Sequence, residues 1–372
     1  MARDVPSIGP APARNGHPGA DFLQQLDLTE FTDRPEIEID QAALQRYLQS
    51  RTVLITGAGG SVGTELTAQL LNLAPERLVL VDRSEHNLFQ LRRHLAPAEP
   101  EVTFTLADVC DRQAMTRLLD RSLPDVVIHA AAYKHVPLIE EHPGAGFQNN
   151  TLATRRLLRW CEERPIEQFV LVSTDKAVEP RSILGATKQL AEWIVRSSEA
   201  DLQTKIVRFG NVFGSRGSVI PLFAEQLAAG GPLEITHPEM ERYFMSAPDA
   251  CRLILQTLLL DSASVYALKM GDPIRIEWLA RQILQRVRPD ADPNTLITYT
   301  GRRPGEKLSE QLVGTSEATH PTAHPHIIGV TDAEAPDRSK LDELIDRFDQ
   351  LTRSEPRTLH NALLSPTELL SS

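Results

Sequence analysis

The stretch RTVLITGAGGSVGTELTAQLL, residues 51 to 71, changes its pattern twice: a continuous apolar run, then glycines, then apolar residues at helical spacing. A buried strand that runs through a glycine loop straight into a helix opens a dinucleotide-binding α/β unit, and few other folds accommodate it. Gly57, Gly60 and Gly63 let the backbone approach a pyrophosphate at the positive end of the helix, with Ser61 and Val62 completing the loop. The next apolar run, RLVLVD, closes on Asp82, at roughly the 20-residue spacing where a carboxylate can bond the adenosine ribose hydroxyls. Asp82 favours NAD over NADP, because a carboxylate repels a 2′-phosphate. Arg83 and Ser84 act in the other direction, since an arginine there can pair with that phosphate.

Further apolar runs, EVTFTLAD, DVVIHAAA, QFVLVSTD and TKIVRFGN, alternate with amphipathic segments such as RQAMTRLLDRSL and LATRRLLRWCEE. This alternation predicts an α/β fold, a Rossmann-type doubly wound parallel sheet with a smaller C-terminal substrate-binding lobe. The expected organisation is a mobile tail over 1–21, a helical segment over 22–50 marked by Phe22, Leu23, Leu26, Leu44, Tyr47 and Leu48, and a cofactor domain over 51–210. Residues 246–270 return to that domain, 211–245 and 271–330 form the lobe, and 331–372, acidic and basic by turns, form a helical or partly loose appendage. Asp108, at the end of FTLAD, is placed to contact adenine or to cap its own loop, with Val109 beside it. Ala130, Ala131 and Ala132 follow the fourth strand on the same edge.

Charge and cysteine content exclude several classes of partner. A formal net charge of -11 leaves no basic face for a nucleic-acid backbone. Cys110, Cys161 and Cys251 make neither a disulfide framework nor a metal spacing, so no metal is expected and a reducing, cytoplasmic setting is. No apolar run approaches the length of a membrane span, which predicts a freely soluble chain.

The fifth strand candidate ends in Ser173, Thr174, Asp175 and Lys176, at the edge where open α/β sheets bind ligands. An adjacent acid and base there can be tuned toward proton transfer near neutral pH, and Lys188 opens the next helix. Four residues before Lys188 stands Leu184, which cannot donate, accept or titrate.

These segments, with GAGGSVG, AAYKHVPLIEEHP, NNTLAT, STDKAVEP, GATK, FGNVFGSRGSVIPLF, THPEMERYFM and RRPGEKLSEQL in order, resemble the extended short-chain dehydrogenase/reductases. More narrowly, they are similar to the nucleoside-diphosphate-sugar 4,6-dehydratase branch of the polysaccharide biosynthesis proteins. The resemblance implies that bound NAD oxidises C4 of a UDP-N-acetylhexosamine, that water leaves from C5 and C6, and that hydride returns to C6. It implies Asp175 as the acid at the C6 hydroxyl, Lys176 as the base at C5, Thr174 as the partner of the C4 hydroxyl and Lys188 on the nicotinamide ribose. Lys134, His135, Asn211, Ser218, Val219, Arg242, Arg303 and Glu306 fall in the motifs that hold the sugar nucleotide, Glu306 on ribose hydroxyls or orienting Arg303. Dehydrogenases of the superfamily carry tyrosine where Leu184 stands, whereas long dehydratases commonly carry methionine. The C4 proton therefore passes to Asp175, directly or through a water, or to Tyr133. Glu241 and Ser309 depart from the family pattern and leave the exact sugar open. A UDP-sugar epimerase and an inactive NAD-binding regulator are the competing expectations; epimerases generally lack the Asp-Lys pair and keep the tyrosine. Homo-oligomerisation, through helices such as TKQLAEWIVRSS, is also implied.

Overall fold

A computed structural model describes residues 37–95, 100–331, 336–354 and 356–366. The expected tail, and Phe22, Leu23 and Leu26 of the expected helical segment, lie outside the described residues. Within that segment the helix is Gln41–Leu48, whose Leu44 and Leu48 are buried.

Near-continuous apolar sequence makes strands that are buried on both faces. Seven strands of the sheet are parallel, all largely buried except the edge strand β3: β1 (Thr52–Thr56), β2 (Arg77–Asp82), β3 (Glu101–Leu106), β4 (Val126–His129), β5 (Gln168–Val172), β6 (Gln203–Arg208) and β7 (Val265–Leu268). They stand in the order β7-β6-β5-β4-β1-β2-β3, so the direction of winding reverses between β1 and β4. Ligands of open α/β sheets bind in the crevice beyond that switch point. Alternate residues of each strand feed opposite cores: Leu54, Val127 and Phe169 pack on one face, and Val53, Ile55, Val126 and Val170 on the other.

One segment departs from the expected boundaries. Residues 318–330, expected in the lobe, form with Thr331 the strands β8 (Ala318–Pro321) and β9 (Ile327–Thr331), an antiparallel hairpin that extends the main sheet beyond β7. An otherwise unpaired β7 edge gains backbone partners in this way, and Ile327 and Val330 are buried. The C-terminal appendage, expected to be helical or partly loose, is helical over Arg338–Ser354 and Pro356–Leu363, and it buries Leu341, Leu344, Ile345, Phe348, Leu359 and Leu363 in the core. Arg155 fastens the first of them, with Nη2 2.7 Å from Asp346 Oδ1. Residues 246–270 supply the helix Ala247–Gln256 and β7. A separate core built on Phe213, Phe223, Phe244 and Leu279 forms the lobe, with Phe213 and Phe244 stacked at 4.6 Å.

Candidate active site

At the end of β1 the chain turns at Gly57, with φ +69°, where a Cβ would meet Ala131 Cα at 2.7 Å. A Cβ at Gly63 would strike Gly57 O at 2.2 Å, so only glycine lets the helix Ser61–Leu73 sit this close to the strand. The helix begins at Gly60 with no side chain capping it, which leaves first-turn N–H groups for an anion. Asp82, at the end of β2, accepts from Gly59 N at 2.9 Å through Oδ2 and from Ser84 N at 2.8 Å through Oδ1. Both oxygens keep a further lone pair for ribose hydroxyls. Arg83 lies 4.3 Å over the Tyr133 ring and 3.8 Å from Asp108, while Asp108 Oδ1 caps Cys110 N. This uncapped helix, cleared of Cβ atoms, fits a dinucleotide, and Asp82, Gly60, Ser61 and Lys188 are the residues that would hold it.

One cavity of about 790 Å³ runs from the glycine loop to the lobe. Every expected site residue lines it except Asp82, Arg83, Ser84, Asp108, Val109, Ala131 and Asp175. Five of the first six cluster at the ends of β2 and β3, and Ala131 packs against Gly57. Asp175 is different: it is 0% exposed, beneath the cavity floor. Its Oδ1 accepts from Thr174 Oγ1 at 2.9 Å and from Lys176 Nζ at 2.9 Å, both of them cavity-lining residues, while Oδ2 has no partner. Lys176 Nζ also lies 3.4 Å from Asn211 Oδ1 and 3.7 Å from Glu310 Oε1.

Lys188 Nζ donates to Val172 O at 2.8 Å, and burial brings its ammonium down to about 8. Behind it His129 sits between Thr56 Oγ1 at 2.7 Å and Thr154 Oγ1 at 3.0 Å. Thr154 spends its own proton on Asn150 O, so His129 Nε2 is the donor to Thr154 and Nδ1 accepts from Thr56. Burial first, then the charge of Lys188, drops His129 to about 3, and the ring stays neutral. Leu184 is 4% exposed and part of the cavity wall, in the first turn of helix Ile183–Arg196. Ser182 Oγ caps Gly185 N, and Glu140 Oε1 accepts from Ile183 N at 2.7 Å. Tyr133 has its ring under Arg83, toward the adenosine end.

On the lobe side Arg242 Nη1 is held by Glu241 O and Leu308 O, and Glu306 Oε2 accepts from the backbone N of Arg303 rather than from its guanidinium. Ser218 Oγ is buried without a partner on the cavity wall. Sequence reasoning missed Asn87, Arg216, Lys307 and Glu310, which also line the cavity. Arg216, Lys307 and Glu310 lie in matched motifs, yet nothing in their local pattern separates them from surface charges. Among the described residues no cluster of His, Cys, Asp or Glu is placed to hold a metal, and no helix is long and apolar enough to cross a membrane.

The sheet order, the uncapped glycine-loop helix and Lys188 one element beyond β5 define the short-chain dehydrogenase/reductase fold. Residues 53–332 match the model of the polysaccharide biosynthesis protein family, and the chain belongs to that family, on its extended dehydrogenase/reductase branch. It is 39% identical over 306 residues to the capsular polysaccharide biosynthesis protein CapD of Staphylococcus aureus, covering 80% of this chain and 51% of that one. The chain thus spans about half the length of that relative. A UDP-glucose 4-epimerase of Rickettsia bellii is 32% identical over 280 residues, and a UDP-N-acetylglucosamine 4,6-dehydratase (inverting) of Campylobacter jejuni 30% over 275, each covering 72% of this chain and 79% of the relative. The solved structure of Pen from Bacillus thuringiensis superposes with a TM-score of 0.70 at 26% identity, covering 78% of this chain and 91% of that one.

Proposed function

We propose that the chain is a nucleotide-sugar 4,6-dehydratase that converts UDP-N-acetylglucosamine to its 4-keto-6-deoxy product with NAD as resident cofactor. The observation that carries this reading is the Asp175–Lys176 pair, joined at 2.9 Å at the end of β5, in a site whose tyrosine position holds Leu184. NAD held by Gly60, Ser61, Asp82 and Lys188 would supply the hydride chemistry between C4 and C6. The protein supplies the proton transfers. Thr174 takes the C4 hydroxyl proton as it passes its own to Asp175 Oδ1, along the 2.9 Å hydrogen bond. This Thr174–Asp175 relay does the work of the missing tyrosine, and Tyr133, under Arg83, is not needed for it.

Lys176 is the base that removes the C5 proton, which the C4 carbonyl has acidified. Asp175 returns its proton through Thr174 to the departing C6 hydroxyl, and Lys176, after exchange with solvent, delivers a proton to C5. Two protons leave the sugar and two return, so the pair ends as it began. Arg242 and Arg303 offer guanidinium groups to the diphosphate, and Ser218 Oγ and Asn211 offer hydrogen bonds to the sugar nucleotide.

The test is mass spectrometry of UDP-N-acetylglucosamine incubated with the protein in deuterated water. Loss of one water with one deuterium at C5 is expected. The relative named as an epimerase supports a second reading, in which the same 4-keto chemistry inverts C4. A galacto-configured product of unchanged composition would select it, and no turnover with NAD bound would leave a binding protein.

A further inference from the structure

Arg216 belongs to the loop that leads from the end of β6 into helix Val219–Ala228 of the lobe, yet its bonds run to the other side of the crevice. Its backbone N–H donates to Ser61 Oγ at 3.3 Å, Nη1 to Asn87 Oδ1 at 2.6 Å and Nη2 to Gly59 O at 3.1 Å. Next to it Gly217, at φ +68°, packs so closely on His135 that a Cβ would come within 2.4 Å of Cε1. Residues 215–218 are therefore wedged between the glycine loop and the loop of Lys134 and His135, across the dinucleotide crevice.

The Arg216 guanidinium is spent on a neutral carbonyl and an amide, and among the described residues it pairs with no carboxylate. Enclosure by the cleft, and then the charge of Arg216, hold the Lys134 ammonium below its ordinary range. Two cations thus face one stretch of cavity wall beside an uncapped helix N-terminus, the setting in which a diphosphate gains charge-assisted hydrogen bonds.

We propose that Arg216 is a ligand of the dinucleotide diphosphate delivered from the lobe, so that residues 215–218 strap the cofactor into the crevice and slow its release. The inference rests on the dinucleotide reading of the glycine loop. It also suits the chemistry: a reaction that ends with its cofactor in the starting state has no need to exchange it between turnovers.

The experiment uses the full chain and Arg216→Ala, with Arg216→Lys as a second variant that keeps the charge without the fork. Release of radiolabelled NAD is followed during a chase with unlabelled NAD, and UDP affinity is measured by calorimetry. Release about tenfold or more faster in Arg216→Ala, intermediate in Arg216→Lys, with UDP affinity within about twofold, is the expected result. Unchanged release overturns the strap, and weakened UDP binding with unchanged release assigns the guanidinium to the sugar nucleotide instead. Failure of the unmodified chain to bind NAD would remove the dinucleotide reading itself, a result distinct from equal retention by chain and variant.

Discussion

Asp175 Oδ1 and Lys176 Nζ are 2.9 Å apart, and of the two only the lysine side chain reaches solvent, at 19% exposure against 0%. In the proposed mechanism the carboxylate therefore reaches the cavity only through Thr174 and Lys176. Asp175→Asn keeps the volume and removes the acid, and is expected to lower turnover by about 10²–10⁴. NAD and UDP affinities should remain within about threefold. Thr174→Val should share the turnover defect, including loss of C4 oxidation in single-turnover absorbance at 340 nm. Full C4 oxidation in either variant would sink the relay.

Leu184 contributes shape to the cavity wall and no titrating group. Leu184→Met conserves volume, so turnover should stay within about threefold and the stability cost below about 1.5 kcal/mol. Leu184→Ala leaves a void and should cost about 2–3 kcal/mol in denaturant unfolding. A large loss of turnover in Leu184→Met would show that its contribution is more specific than shape.

The strand, glycine loop and helix of residues 52–73 were legible because the hydrophobic period changes within a few residues, and Asp82 followed at the required spacing. The C-terminal helices were harder to read. The stripe of Leu341, Leu344, Ile345 and Phe348 is interleaved with charges that pair with residues far away in sequence, Arg155 and Glu162 among them. Strand β9 is invisible locally, since what recruits it is the open edge of β7. The same limit applies to the site: Lys188 and the Asp175–Lys176 pair sit in a recognisable order, but the burial of Asp175 depends on the approach of Gly210 and β6. Arg216 meets Asn87 across 129 positions, a contact that no local pattern encodes.

Lys188 carries a charge whose burial costs stability. Its ammonium titrates at about 8 in the folded chain, against 10.5 in the open. A lowered folded value means the unfolded chain binds more protons between those pH values, so stability rises with pH through that window; below about 8 the full penalty of the buried charge is present. Lys188→Met removes a penalty of roughly 3 kcal/mol, offset by about 1 kcal/mol for the lost bond to Val172 O. Melting at pH 7 should therefore be about one to a few degrees higher in Lys188→Met, and the advantage should shrink toward pH 10, while turnover is lost. A lower midpoint at pH 7 would refute the assignment.

Arg208, 4% exposed, joins helix Ile183–Arg196 to the segment before β8. Its Nη2 lies 2.6 Å from Glu192 Oε2, one helical turn beyond Lys188, and its Nη1 2.7 Å from Glu317 Oε2. Glu192 Oε1 in turn accepts from Ser173 Oγ, the residue before Thr174. Truncating the cation alone strands Glu192 at 1% exposure, so Arg208→Met should destabilise by about 3–5 kcal/mol. Replacing both partners, in Arg208→Met with Glu192→Met, leaves only Glu317, still bonded to Gly314 N, without its cation and should recover part of that loss, a coupling that a double-mutant cycle in urea measures directly. Turnover should not recover with stability, because Ser173 has lost its acceptor and the Thr174 hydroxyl its fixed position. Recovery of both together would mean that the ion pair holds the fold but not the relay.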